Sequence, residues 1–290
     1  MRDGRPSWHW WWLALAVPVL VGPGAFWLVR AISGGVGGPA WMEEATFARV
    51  FQRLLMVGAV GVGIPWFFRW GVRDRAALGL GGEGAWRLFG LGLFFGVVIA
   101  LVQLTLHLVT GARDWEPSIG WGDAAAVVMA GLGAAFFEEV LFRGALLGVL
   151  LRVMGWVPAV MLQAAVYATV HFLKPPGFGE GYGVHVGSGL TLLAAVPGHI
   201  LGGSARWLVL LLLGCALGVV AAWRRNIWWC AGFHAAIAAG ALALPKLTDY
   251  EGGAWRMVCA KDPSSGFDGA VLLGVVLCAM VLRPARRGPA

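Results

Sequence analysis

The feature that most constrains this chain is the recurrence of long apolar runs closed by arginine, because about twenty apolar residues in a helix cross the hydrocarbon core of a bilayer. The runs fall at about 8–29, 47–68, 87–110, 123–151, 156–173, 206–223, 227–245 and 269–282. The first is too long for the apolar core of a signal peptide and lacks a small-residue cleavage site before Arg30, so it reads as a span. A further apolar piece, about 189–201, is short and carries Pro197. It follows Pro175, Pro176 and many glycines, and reads as a re-entrant or interfacial segment. With 59% hydrophobic and 13% charged residues, the fold class expected is all-α, a polytopic membrane protein of about eight spans with one broken segment.

Charge placement sets the expected topology. The arginines at 2–5, 69–87, 152, 224–225 and 283–287 all fall on one side if the broken piece does not cross, and basic loops mark the cytoplasmic side. Both termini are then cytoplasmic. The net charge of +7 is scattered over the ends of runs and forms no patch, so a nucleic-acid partner is not expected. The tryptophans Trp10, Trp11 and Trp12 and the pair Trp228 and Trp229 fit interfacial belts. Cys215, Cys230, Cys259 and Cys278 show no metal-ligand spacing and imply no disulfide framework. The partners expected are the lipid bilayer and a membrane-anchored peptide or protein.

Chemistry is sought where charge enters an apolar run. Residues 136–143 read Phe-Phe-Glu-Glu-Val-Leu-Phe-Arg, two carboxylates and a guanidinium inside the fourth run. Charged groups near a bilayer centre cost about 2.5–3.5 kcal/mol each, so they face protein, pair and mark function. Glu139 and Arg143, four apart, share a helix face and form the expected ion pair. Glu138, rotated about 100° away, has no cation at that spacing and is the candidate general base. Two later runs supply imidazoles, His171 with Tyr167 four residues earlier, and His234. With Glu138 these types can activate a water, directly or through Zn²⁺ held by Glu138, His171 and His234. His107 reads as interfacial, and His185 and His199 carry no expected direct role. The His-Glu-x-x-His pattern of common metalloproteases is absent.

Taken together, Glu138-Glu139-x-x-x-Arg143, Tyr167-x-x-x-His171 and the glycine-rich stretch 213–218 leading to His234 resemble the CAAX-processing and bacteriocin-processing membrane proteases, the CPBP or ABI family. That family includes the type II CAAX prenyl endopeptidase. The resemblance covers about 122–245, with spans 1–121 before it and a loop, last span and basic tail at 246–290. It implies an intramembrane endopeptidase, glutamate- or metal-dependent, in the inner membrane of a bacterium. Glu138 would activate water, Glu139 would hold Arg143, and His171 and His234 would line the same cavity.

Two positions depart from the family pattern. The second motif usually begins with Phe and here begins with Tyr167. The last motif ends in Asn or Asp, and here Ala238 stands four residues after His234. Loss of an oxyanion-hole donor costs on the order of 2.7–4 kcal/mol, so Asn226 or Gln163 is expected to substitute. A catalytically impaired scaffold or immunity protein is the alternative that Ala238 favours. A proton-coupled transporter ranks below it, since no inverted repeat is present.

Overall fold

The structure is a computed structural model. It describes residues 11–34, 46–69, 71–72, 74–173, 183–255 and most of 258–276. The eighth run and the basic cluster 283–287 lie largely or wholly outside the described residues, as do Arg2, Arg5 and Trp10. The chain divides into two compact units, Met1–Gly71 with Thr169–Gly202, and Val72–Ala168 with Gly203–Ala290.

The first unit holds α1 (Trp11–Gly34), α2 (Phe47–Arg69) and α7 (Ser188–Gly202). Phe26 packs edge-on against Phe47, ring centroids 6.1 Å apart. Gly189 of α7 lies against the backbone of Val19, where a Cβ would sit 2.7 Å from the Val19 Cα. The apolar piece around Pro197 is thus one continuous 15-residue helix and is not broken. Proline is tolerated inside such helices because neighbouring groups re-satisfy the freed carbonyl. Pro18 and Pro23 sit inside α1 in the same way.

The second unit holds α3 (Ala85–Val109), β1 (Arg113–Trp115) and α4 (Trp121–Glu138). A π-helix at Glu139–Leu146 continues α4 into α5 (Leu147–Val153). It also holds α6 (Trp156–Val170), α8 (Ser204–Arg224), α9 (Trp228–Leu247) and β2 (Thr248–Tyr250), which pairs antiparallel with β1. Six of the described helical stretches are long and apolar enough to cross a membrane, α1, α2, α3, α4 through α5, α8 and α9. Eight spans are therefore not reproduced among the described residues. The fifth run forms a helix of 15 residues. At the α-helical rise it is roughly 22 Å long, short of a hydrocarbon core of roughly 30 Å.

Glycine sets the helix spacing in this unit. In lipid there is no hydrophobic drive between helices, so close backbone approach does the packing. A Cβ on Gly92 of α3 would sit 2.0 Å from the Trp229 carbonyl oxygen, and one on Gly232 of α9 would sit 2.1 Å from that of Phe89. Gly240 meets Ala100 further along, so α3 and α9 run parallel. Gly131 of α4 meets Ala235 and Ala239, and Asp123 bonds Lys246 at 2.9 Å, so α4 runs antiparallel to both. The large side chains of α3, Phe94, Phe95 and Leu101 among them, point outward. An apolar surface over a small-residue seam is the composition of a membrane-embedded helix, and the chain is an all-α polytopic membrane protein.

Beyond α3, Arg113 is buried and ties β1 to its surroundings. Its Nη1 donates to Thr248 Oγ1 at 3.0 Å, its Nη2 to the Lys261 carbonyl, and its guanidinium covers the Tyr250 ring at 5.3 Å. Burial lowers the pKa of the Arg113 guanidinium, opposed by Tyr250 and Asp249 beside it.

Candidate functional site

The polar residues of the fourth run do not lie on a regular α-helix. From Glu139 to Leu146 the backbone widens into a π-helix, a form that occurs frequently at functional sites. Gly144 permits it to lie against the Leu78 carbonyl, which a Cβ would approach at 2.7 Å. The α-helical 100° spacing therefore ends at about Glu138, and the two glutamates stand at the junction of two helix types.

Their environments differ sharply. The Glu139 side chain is wholly buried, whereas that of Glu138 keeps 25% of its surface exposed. Arg143 Nη1 donates to Glu139 Oε1 at 2.9 Å, the ion pair expected from the spacing. The same Oε1 also lies 2.8 Å from His234 Nδ1. One carboxylate oxygen thus receives two donors from helices far apart in sequence. Glu139 Oε2 has no hydrogen-bond partner among the described residues, nor do Arg143 Nε and Nη2. The Arg143 guanidinium covers the Tyr167 ring at 4.4 Å, and Phe142 packs edge-on against that ring at 5.3 Å.

This arrangement fixes the His234 tautomer. With Nδ1–H donated to a carboxylate, the neutral ring carries its lone pair on Nε2. Nε2 lies 3.8 Å from Glu138 Oε2 and 3.4 Å from the Tyr167 hydroxyl. Glu138, Tyr167 and His234 Nε2 therefore meet at one place, backed by Glu139 and Arg143. His234 stands six residues beyond the start of α9. At the helical rise this is about 9 Å along the axis, so the cluster lies toward the end of the unit that bears Arg225 and Trp228.

His171 is the residue following α6, half-buried in a turn, and belongs to the other unit. Asn226 is committed to the backbone, its Nδ2 donating to the Gly81 carbonyl at 3.0 Å and its Oδ1 accepting from Trp228 N–H at 2.8 Å. It ties the entrance of α9 to the loop at Gly81, so its amide is spent on structure. Gln163 of α6 is fully buried with both amide atoms lacking a partner among the described residues. Ala238 lies one turn beyond His234 on α9. His107, in the last turns of α3, is fully buried, 3.0 Å from Asp268.

A catalytic zinc takes three protein ligands and a water. Within this unit the cluster offers two, Glu138 Oε2 and His234 Nε2, because Nδ1 is engaged by Glu139. This donor set does not by itself fit the ion. A cavity of about 600 Å³ adjoins the cluster on its arginine side, lined by Leu78, Arg143, Arg152 and Arg225 among others, and its walls include neither Glu138 nor His234.

No curated protein and no solved structure matches the chain. Residues 120–240 match the family model described as type II CAAX prenyl endopeptidase Rce1-like, the interval that contains both glutamates, Arg143, Tyr167 and His234. Over those residues the chain is similar to the Rce1-like CAAX-protease family.

Proposed function

We propose that the protein is an intramembrane endopeptidase that hydrolyses a peptide bond of a membrane-anchored or lipidated protein or peptide, with Glu138 as general base. The observation that carries this reading is the pairing of Glu138 Oε2 with His234 Nε2 at 3.8 Å, the His ring held by Glu139. At that separation the two atoms do not bond directly, and one water can serve both. Glu138 takes one proton of that water while Nε2 accepts the hydrogen bond of the other. The oxygen attacks the scissile carbonyl carbon, the C–N bond breaks, and Glu138 returns its proton to the leaving amine. One water and one amide give one carboxyl group and one amine.

The two departures from the family pattern compensate each other in this scheme. Ala238 removes an amide donor, and Tyr167 adds a hydroxyl 3.4 Å from Nε2. That hydroxyl is the donor assigned to the developing oxyanion. Glu139 and Arg143 position His234, and His171 is retained as a further cavity residue on the strength of the motif spacing. The arginine-rich end, nearest the site, is assigned to the cytoplasm, with both termini on the same side.

The test compares C-terminal fragments of membrane proteins in cells carrying the native chain or Glu138→Gln at matched expression. General-base removal lowers the rate about 10²–10⁴-fold, so a set of fragments should vanish in the variant. Identical fragment sets from two folded, abundant proteins would favour the scaffold reading, with Ala238 its reason.

A further inference from the structure

A second group of chemistry-bearing side chains lies away from the glutamates, at the opposite end of α3. His107 from its last turns, Cys259 and Asp268 each present one donor atom, and the three atoms lie within 4.8 Å of one another. All three residues are buried, at 0%, 1% and 4% exposure. We propose that they form a metal site of zinc type, unconnected with the peptidase chemistry, that fastens the segment after β2 to α3.

The donor set is an imidazole, a thiol and a carboxylate, the three ligand types that zinc takes. Around a tetrahedral zinc, bonds of about 2.0–2.3 Å place such atoms about 3.4–3.6 Å apart. His107 Nε2 and Asp268 Oδ2 are already 3.0 Å apart. The remaining separations are within 4.8 Å, so a closure of at most about 1 Å reaches that geometry. The electrostatics favour occupation. Once Cys259 gives up its proton, thiolate and carboxylate carry two negative charges in a low-dielectric place, and a divalent cation cancels both.

The surroundings are organised as an outer layer of a metal site is organised. Gln103 Nε2 donates to Asp268 Oδ2 at 2.9 Å, and the Thr110 hydroxyl lies 3.7 Å from the Cys259 sulfur. This outer layer reaches Asp268 and Cys259 but not the second ring nitrogen of His107, since His107 Nδ1, like Asp268 Oδ1, lacks a hydrogen-bond partner among the described residues. The backbone is shaped round the carboxylate too, since a Cβ on Gly266 would sit 2.1 Å from Asp268 Oδ1. Binding breaks the Cys259 S–H bond, forms a sulfur–metal bond and releases one proton to solvent. Nothing is oxidised or reduced, and water takes the fourth position.

The experiment loads the purified full chain in detergent with Co²⁺, removes excess, and reads the near-ultraviolet thiolate-to-cobalt charge-transfer band. Cys230 lies near Glu139 and Arg143, so it is the loss of the band in Cys259→Ser that assigns it to Cys259 and not to the peptidase site. The native protein and Glu138→Gln should both show it, Cys259→Ser should lose it, and His107→Ala should weaken cobalt retention at least tenfold. Zn²⁺ should compete the band away and raise the unfolding midpoint of the native protein. Absence of the band from the native chain, or its survival in Cys259→Ser, would overturn the proposal. Absence of the band from the native chain overturns the site even where a variant fails to fold. Asp268→Asn, which preserves shape, is the second variant, and cobalt retention equal to the native chain's would likewise count against the site.

Discussion

Glu139→Gln is the substitution that separates the roles of the two adjacent carboxylates. Glu139 Oε1 accepts from Arg143 Nη1 at 2.9 Å and is 2.8 Å from His234 Nδ1, while Oε2 has no partner among the described residues. A glutamine can place its carbonyl oxygen at the Oε1 position and its amino group at the other, so both hydrogen bonds and the His234 tautomer survive. What is lost is the charge opposite a buried guanidinium. A close pair is worth about 4 kcal/mol at an effective dielectric near 20, and removing one partner of a buried pair costs about 3–5 kcal/mol. The neutral hydrogen bond that remains returns about 1 kcal/mol, for a net loss of about 2–4 kcal/mol. The assay is the unfolding midpoint in detergent, with turnover per folded molecule measured on a fragment identified through Glu138→Gln. Stability should fall while turnover falls far less than in Glu138→Gln. Removing the stranded cation in Glu139→Gln/Arg143→Met should recover most of the stability. A single variant with an unchanged midpoint and no turnover would refute the reasoning and exchange the two roles.

Tyr167→Phe removes only the hydroxyl 3.4 Å from His234 Nε2 and keeps the ring under Arg143. It should hold stability within about 1 kcal/mol. It should lower kcat about 10²–10³-fold with KM unchanged, and normal turnover would exclude the hydroxyl as oxyanion donor. Gln163→Met replaces a buried amide that has no partner among the described residues, and should raise stability by about 1–3 kcal/mol. A simultaneous loss of turnover would show that the amide serves the reaction. Gly232→Ala forces a Cβ to 2.1 Å from the Phe89 carbonyl oxygen, and should destabilise by about 1–3 kcal/mol or more. Gly133→Ala, with nothing within 4 Å, should be neutral or better. Equal midpoints for the two alanine variants would contradict the seam between α3 and α9.

Much of this was legible in the chain because a bilayer leaves few choices. The long apolar runs mark α1, α2, α3, α8 and α9 to within a few residues, and the four-residue spacing of Glu139 and Arg143 states their ion pair. Length misled at α6, an apolar run whose helix has 15 residues, too few to span, although Val157, Met161, Leu162 and Val166 face outward. The π-helix left no trace, since it depends on Gly144 meeting a carbonyl from another part of the unit. The bond from Glu139 to His234 joins positions 95 apart, and no spacing rule spans that distance. For the same reason Cys259 and Asp268 show no ligand motif, since His107 stands 161 positions before Asp268.

The change in burial across one peptide bond, from a Glu138 side chain 25% exposed to a Glu139 side chain wholly covered, has a kinetic consequence. Phe136 and Phe137 just before it present 46% and 39% of their surface outward. Under the proposed function, a carboxylate bordered by such a face meets its substrate sideways, by diffusion in two dimensions. The relevant concentration is then a mole fraction among lipids. Adding detergent at constant protein and substrate dilutes that fraction and slows turnover, while changing the aqueous volume leaves it untouched.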